Sequence, residues 1–385
     1  MRVAVIGAGI VGAACALDLV EHGAEVVLVD RVGVAGETSS RCEGNLLVSD
    51  KAPGPEAELA IHSNARWRAL AERLDAGRAG GRPATEFEAK GGVVVAFPGG
   101  EQALRRFAET QRGIGIQAEE LDASALLAAE PHLSPEVSLA IHYPEDAQLQ
   151  PSNTTQSLAD AAVRGGARLL EAEVTGARAS GGRIRALETT AGPLEVDAVV
   201  NCAGPWAGEL GRRLGAPIDI RPRRGVILVT TPMPQRVFHK VYDADYVGAV
   251  GSGDAALQTS TVVESTPGGT VLIGSSRERV GFDDRPGVDP VRAIAAKATR
   301  LFPFLEDTML LRSYFGFRPY APDHLPVIGE DPRLAGLFHA TGHEGAGIGL
   351  APATAELVSH AVLGTPTSLD PAPFRPGRPG IGVAA

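Results

Sequence analysis

The chain has 385 residues, 44% of them hydrophobic and 21% charged, with a formal net charge of −10. That length exceeds what one simple core organises and predicts two domains, and the composition is that of an ordinary soluble globular protein. An acidic balance without a dense Lys/Arg block disfavours nucleic acid, no later apolar run reaches the length of a membrane span, and three scattered cysteines (Cys15, Cys42, Cys202) without a CxxC disfavour zinc, iron–sulfur and disulfide frameworks.

The first element is the most informative. Residues 2–6 form an apolar strand, Gly7, Gly9 and Gly12 follow at fingerprint spacing, an apolar helix runs on, and a second strand, Val26–Val29, ends at Asp30. In such a unit the first glycine permits a tight turn, the second lets the backbone approach a pyrophosphate, and the third lets helix and strand pack closely. The helix start, Ile10 and Val11, offers free N–H groups and a partial positive charge to phosphates. An acid about 20 residues on accepts hydrogen bonds from the adenosine ribose. Arg31 beside it would invite a 2′-phosphate, but Asp30 opposes that charge. Residues 3–17 also resemble a signal peptide, with Arg2 ahead of an uncharged apolar run. Cleavage would discard the strand that Val26–Val29 must pair with, so the segment is read as part of the fold and the chain as cytoplasmic.

Further along, a Gly/Ser/Thr-rich loop covers 36–45, and a helix is expected over 56–78, with Leu59, Trp67, Leu70 and Leu74 on one face. A strand at 92–97, helices at 101–112 and 151–164, and a strand from 168 follow. Residues 198–206 read as strand, Gly turn and helix. From 221 to 278 the strands are long and alternating, which suits an antiparallel sheet. A helix at 289–301, a strand at 309–315, a strand at 337–341, the loop 342–349 and a helix at 350–363 close the pattern. The Pro/Gly-rich tail, 365–385, is expected to be flexible.

The fold class expected is α/β: a Rossmann-like dinucleotide domain from 1–80, 151–220 and 316–364, and a substrate domain on a mainly antiparallel sheet from 81–150 and 221–315. The reacting centre should lie between them. The loop at 342–349 carries four glycines before a helix. A helix N-terminus there would stabilise an anionic reduced flavin ring, which favours FAD over a nicotinamide.

The order GAGIVG with Asp30, Asn201-Cys-Ala-Gly-Pro-Trp206, Gly274-SSRERVGFD283, Gly316-FRPYAPDHLPVIG329 and Gly342-HEGAGIGLAP352 resembles the FAD-dependent D-amino-acid oxidase superfamily, from residue 1 to about 363. Glycine oxidase, sarcosine oxidase and D-amino-acid dehydrogenases belong there; the SSRER-VGFD and GHEGAGIGLAP stretches resemble opine oxidase, hydroxyproline dehydrogenase and cyanide synthase flavin subunits more finely. The resemblance implies Ser39, Ser40 and Arg41 beside the pyrophosphate and ribityl chain. It puts Glu43, Gly44, Asn45 and Leu46 at the flavin ring, and Val174 at the adenine. Gly329 and the 344–349 loop (Glu344, Gly345, Gly347, Ile348, Gly349) would hold the pyrophosphate and ring. Cys202, Ala203, Gly204, Trp206, Gly342 and His343 complete the implied cofactor set. Two departures stand out: Gly225-Val226 replaces the Gly-Gln often seen after the central basic strand, and no cysteine follows Cys202, so covalent attachment through the C-terminal arm is excluded.

The reaction implied is oxidative deamination or dehydrogenation of a small amino acid or secondary amine acid, with the α-hydride passing to flavin N5. Arg318 would fork the substrate carboxylate and also touch the cofactor. Tyr246 would close the pocket, with a core tyrosine and Tyr242 as rival readings. His343 would tune the reduced flavin or simply bond the backbone. Arg277 and Glu278 would line the same pocket or form a solvated ion pair, the latter being the favoured reading. Oxygen, a quinone or a partner subunit would take the electrons, and homo- or hetero-oligomers are open. Two other classes remain: an NAD(P)-linked dehydrogenase, and a non-catalytic FAD-binding subunit. Gly248–Gly253 is the only other glycine cluster in reach of a second nucleotide unit, and its order is wrong.

Overall fold

The computed structural model describes residues 1–76, 83–244 and 254–382. Two sheets dominate. The first has six strands in the order Val327–Glu330, Leu337–Thr341, Ala198–Asn201, Arg2–Ile6, Glu25–Asp30, Arg168–Glu171. Every neighbouring pair is parallel except the outermost hairpin, 327–330 against 337–341. Its strands are nearly continuous apolar runs because both faces are covered. Side chains alternate across a strand. Val3, Val5, Val26 and Leu28 therefore pack on the helices Ile10–Glu21 and Gly347–Leu363. Ala4, Ile6, Val27 and Val29 pack instead with Val174, Ile184 and Leu187 of a three-stranded antiparallel meander, Val174–Ser180, Arg183–Thr189 and Leu194–Glu195. Each fully buried Val or Leu contributes roughly 1.5–3 kcal/mol to this core.

The second sheet has eight strands in the order Leu310–Tyr320, Arg221–Thr230, Val271–Arg277, Gln258–Ser265, Lys240–Asp243, Gly92–Ala96, Leu139–Tyr143, Glu119–Glu120. Within it only the pair 92–96 and 240–243 runs parallel. One face (Val93, Val95, Leu228, Val241, Val263, Ile273) packs on the amphipathic helix Val288–Leu301 through Ile294, Ala298 and Leu301. From the other face Val94, Tyr242 and Val262 join the central core.

Three expectations are corrected. The strand expected at 309–315 runs on to Tyr320, pairing along Arg221–Thr230, so the boundary drawn at 316 falls inside a strand of the second sheet. The last helix starts at Gly347, within the expected loop. The tail is packed through residue 382: Phe374 and Ile381 are buried, Ile218 bridges Gly382, and Arg378 pairs with Asp323 at 2.6 Å. Pro and Gly prevent regular ladders there, but two apolar anchors and an ion pair order the chain without one. No helix among the described residues is long and apolar enough to cross a membrane.

Candidate functional site

The cleft starts at the Gly turn. Gly7 has φ +107°, and a Cβ there would overlap the Cys202 carbonyl; a Cβ on Gly12 would overlap the Gly7 carbonyl. Strand, turn and helix therefore approach more closely than side chains allow. The N-cap residues of the helices Ile10–Glu21 and Gly347–Leu363, Gly9 and Ala346, give no side-chain cap. Ser39 Oγ accepts from Ile10 N at 2.9 Å, which ties the 36–45 loop to the helix start. Two helix N-termini thus open toward one cleft, the arrangement that binds anions.

That cleft has about 1710 Å³ of empty space, including its open mouth. It brings together Gly7, Gly9, Ile10, Val11, Asp30, Arg31, Ser39, Arg41, Gly44, Asn45, Val174, Cys202, Ala203, Gly204, Trp206, Arg318, His343, Glu344, Gly345, Gly347 and Ile348 from the sequence-derived set. Six others do not line it, among them Gly329, on the edge hairpin beside Pro376. Gly12 sits in the helix–strand contact and Leu46 in the core. Ser40 donates to Glu37 O on the exposed side of its turn. Gly342, at φ +80°, packs against Ile220 and Ala321. The Gly349 carbonyl accepts from Ser63 Oγ and Trp67 Nε1. Tyr246 lies outside the described residues, as does the 248–253 cluster. Its rival Tyr242 is fully buried and donates to Ser49 Oγ at 2.6 Å, so it is a core tyrosine.

At the far end Asp30 is already engaged. Its carboxylate accepts from Ala8 N (2.7 Å), Val32 N (2.8 Å) and Gly33 N (3.1 Å). A carboxylate has about four lone-pair sites, so Asp30 shapes the turn and still has capacity facing the cleft. Arg31 lies 4.7 Å above the Trp206 ring, and Trp206 stacks on Phe282 at 5.1 Å.

The other end is built from the second sheet. Arg318, half-buried on Leu310–Tyr320, donates to Ser276 O at 2.8 Å. A Cβ on Gly225 would overlap its guanidinium, and one on Gly345 would come within 3.8 Å of Nε. Gly225 thus leaves room for this arginine. Arg277 lines the cleft and is buried rather than solvated, donating to Ser260 Oγ at 3.0 Å. Glu278 pairs with Arg224 instead, at 2.8 Å. Glu344 pairs with the fully buried Arg223 and with His324. Burial works against its ionisation, yet the His324 hydrogen bond and the charges of Arg223 and Arg277 hold its carboxyl below the ordinary range.

His343 is buried and shares a 2.9 Å hydrogen bond with Thr354 Oγ1. Burial depresses its pKa to about 3, so the ring is neutral. Cys42 lines the cleft, and burial beside Glu43 pushes its thiol up to about 12, which leaves no thiolate nucleophile. Cys15 and Cys202 are buried together in the core.

The sequence reading missed a buried polar group beneath the cleft. Lys240 contacts Asn45 Oδ1 and pairs with Glu264 at 3.1 Å, both nearly sealed from solvent. Desolvation raises Glu264 despite Lys240 and Lys90. The only trace in the sequence is charge at positions of otherwise apolar strands, in Arg223-Arg224, Lys240 and Glu264. These residues meet only when the strands assemble.

The chain matches the family model described as FAD dependent oxidoreductase over residues 2–361. It is 31% identical to glycine oxidase of Geobacillus kaustophilus (strain HTA426) over 97% of this chain and 95% of that protein. It is 30% identical to glycine oxidase of Pseudomonas putida over 97% of this chain and 98% of that protein. The crystal structure of glycine oxidase from Geobacillus kaustophilus superposes with a TM-score of 0.87, at 30% identity, covering 98% of this chain and 99% of that one. The chain therefore belongs to the FAD dependent oxidoreductase family. It is an FAD-dependent amino-acid or amine oxidoreductase, as its relatives and the superposed structure show.

Proposed function

We propose that the substrate is a small amino acid or secondary amine acid of the D-amino-acid, glycine, sarcosine, proline or opine type, oxidised at its C–N bond. The observation that carries this reading is Arg318. Its guanidinium sits in the cleft, oriented by Ser276 O, in space left by Gly225 and Gly345. A planar guanidinium fits a carboxylate with two parallel hydrogen bonds. The six-stranded sheet then holds the cofactor and the eight-stranded sheet the substrate, with the strand Leu310–Tyr320 joining the two.

The residues present fit FAD: the helix start at Ile10 would take its phosphates, the one at Gly347 would face the flavin ring, and Asp30 with Val174 would flank its adenosine end. Bound there, FAD supplies a two-electron acceptor for the α-hydride. The chain's own residues orient the substrate, exclude water and hold charge. Neutral His343 puts no cation beside the ring. The cofactor is held without a covalent bond, since Cys42 stays a thiol. Oxygen, a quinone or a partner subunit completes the turnover.

The test is an anaerobic panel of D-amino acids, glycine, sarcosine, prolines and opines, read by bleaching of the visible flavin band. Bleaching by at least one carboxylate-bearing amine is expected. Bleaching only by amines without a carboxylate would overturn the reading. Acid precipitation should release all yellow colour; colour left in the pellet would disprove the non-covalent link.

A further inference from the structure

Glu43 is the group whose chemistry the reading above leaves unused. It is 7% exposed, it lines the cleft, and its Oε1 has no hydrogen-bond partner among the described residues. Its Oε2 accepts from Asn45 Nδ2 at 3.3 Å, which fixes the carboxylate's direction. A buried carboxylate oxygen with nothing to accept from is costly, and such groups call for a functional explanation. The fold makes space for it: a Cβ on Gly274 would overlap Oε1.

The placement relative to Arg318 is informative. Glu43 fills the position vacated at Gly274, and Arg318 is tied to Ser276, two residues further along the strand Val271–Arg277. The cation of the cleft and its orphaned carboxylate oxygen thus lie against the same strand, Val271–Arg277, and both line the cleft.

We propose that Glu43 holds the substrate's nitrogen and accepts the proton that the ammonium must lose before oxidation. This rests on the amino-acid reading of Arg318. The substrate arrives as a zwitterion; its N–H bond breaks, and the proton passes to Glu43 Oε1, giving a neutral carboxyl and a free amine. The α-C–H bond then breaks with both electrons leaving as hydride to the enzyme's FAD, the nitrogen lone pair forms the C=N bond, and the substrate becomes an iminium that water hydrolyses.

The groups around Glu43 suit a carboxylate that must gain and lose charge. Cys42 beside it is a neutral thiol, and Tyr314, raised by burial and by Glu43's own charge, is a neutral phenol. Arg318 and Arg277 face the same cleft from 310–320 and 271–277. Lys240, held against Asn45, balances Glu264 on the next strand. A charge change at Glu43 is therefore met by the cations lining the cleft and by one buried carboxylate, Glu264, which Glu43 itself helps to push up and which Lys240 pairs through Oε2.

The experiment uses holoenzyme carrying Glu43→Gln, Glu43→Asp or Arg318→Ala. Acetate affinity is read from the shift of the visible flavin spectrum, and kcat/KM is followed across roughly pH 6 to 10 with the best amine acid. Glu43→Gln should keep its FAD and hold acetate within about threefold of wild type, while kcat/KM near neutral pH falls about a hundredfold. The loss should shrink as rising pH deprotonates the substrate itself, and Glu43→Asp should restore part of the neutral-pH rate. A pH-independent loss with a parallel loss of acetate binding would make Glu43 a packing residue, and kcat/KM within about threefold at every pH would make it a bystander. Either result overturns the proposal. Acetate affinity unchanged in Arg318→Ala would instead sink the carboxylate reading, leaving the Glu43→Gln pH profile to decide Glu43.

Discussion

The two sheets line the cleft in opposite ways. Around the six-stranded sheet the cleft wall is backbone: Gly7, Gly9, the start of Ile10–Glu21 and the Gly345–Gly347 turn. Around the eight-stranded sheet it is charge, with Arg277, Arg318 and Glu43 facing the cleft and Arg223, Lys240 and Glu264 buried behind them. A phosphate chain needs only N–H groups and a helix dipole, which any glycine-rich turn provides. A small zwitterion offers few atoms, so its recognition has to come from aimed side chains. Changes at the first sheet should therefore show in cofactor affinity, and changes at the second in kcat/KM.

Arg318→Ala should test that division most severely. Truncating one partner of a buried charge pair costs roughly 2–5 kcal/mol. At about 1.4 kcal/mol per factor of ten, kcat/KM should fall thirtyfold to a few thousandfold, with FAD content unchanged. Lysine should restore only part of it. A value within about threefold of wild type on the best acid substrate would make Arg318 structural and point to a simple amine.

Asp30→Ala is the matching change at the other sheet. Hydrogen bonds to a charged group contribute roughly 1.5–3 kcal/mol. Because Asp30 also accepts from Ala8, Val32 and Gly33, the variant should purify partly as apoprotein and melt at a lower temperature. Normal FAD affinity with lowered Tm would assign Asp30 to the turn alone.

Gly225→Ala sharpens the contrast without touching a charge. Its Cβ would meet the Arg318 guanidinium and lie 2.7 Å from Ser276 O. About a tenfold loss in kcat/KM, roughly 1.4 kcal/mol, is expected with full FAD loading. Loss of FAD without loss of kcat/KM in the loaded fraction would contradict the division.

The smallest effect concerns His343. Its folded pKa of about 3 lies below the ordinary value of 6.5. Between these two values the unfolded chain takes up a proton that the folded chain refuses, so stability from this site is full above about pH 6.5 and declines as pH falls toward 3. Tm measured against pH should drop less steeply in His343→Gln than in wild type over that window. Equal slopes would show that the ring is protonated in the fold.

The sequence by itself determined the dinucleotide unit, the helices Glu101–Arg112 and Pro151–Arg164, and the strand Leu337–Thr341, all recovered with little or no shift. These are local: glycine spacing, apolar period and caps act over a few residues, so they are written in consecutive letters. The continuation of Leu310–Tyr320 was not legible, because Phe317–Tyr320 become strand by pairing with Arg221–Arg224, nearly a hundred residues away in the chain. The tail was misjudged for a similar reason: Pro and Gly report backbone freedom, while Phe374 and Ile381 are ordered by the surface they meet. Only the tertiary structure decided that Glu43, Gly274, Gly225 and Arg318 share one wall. Burial and pairing are properties of the assembled sheet, and no spacing along the chain encodes them.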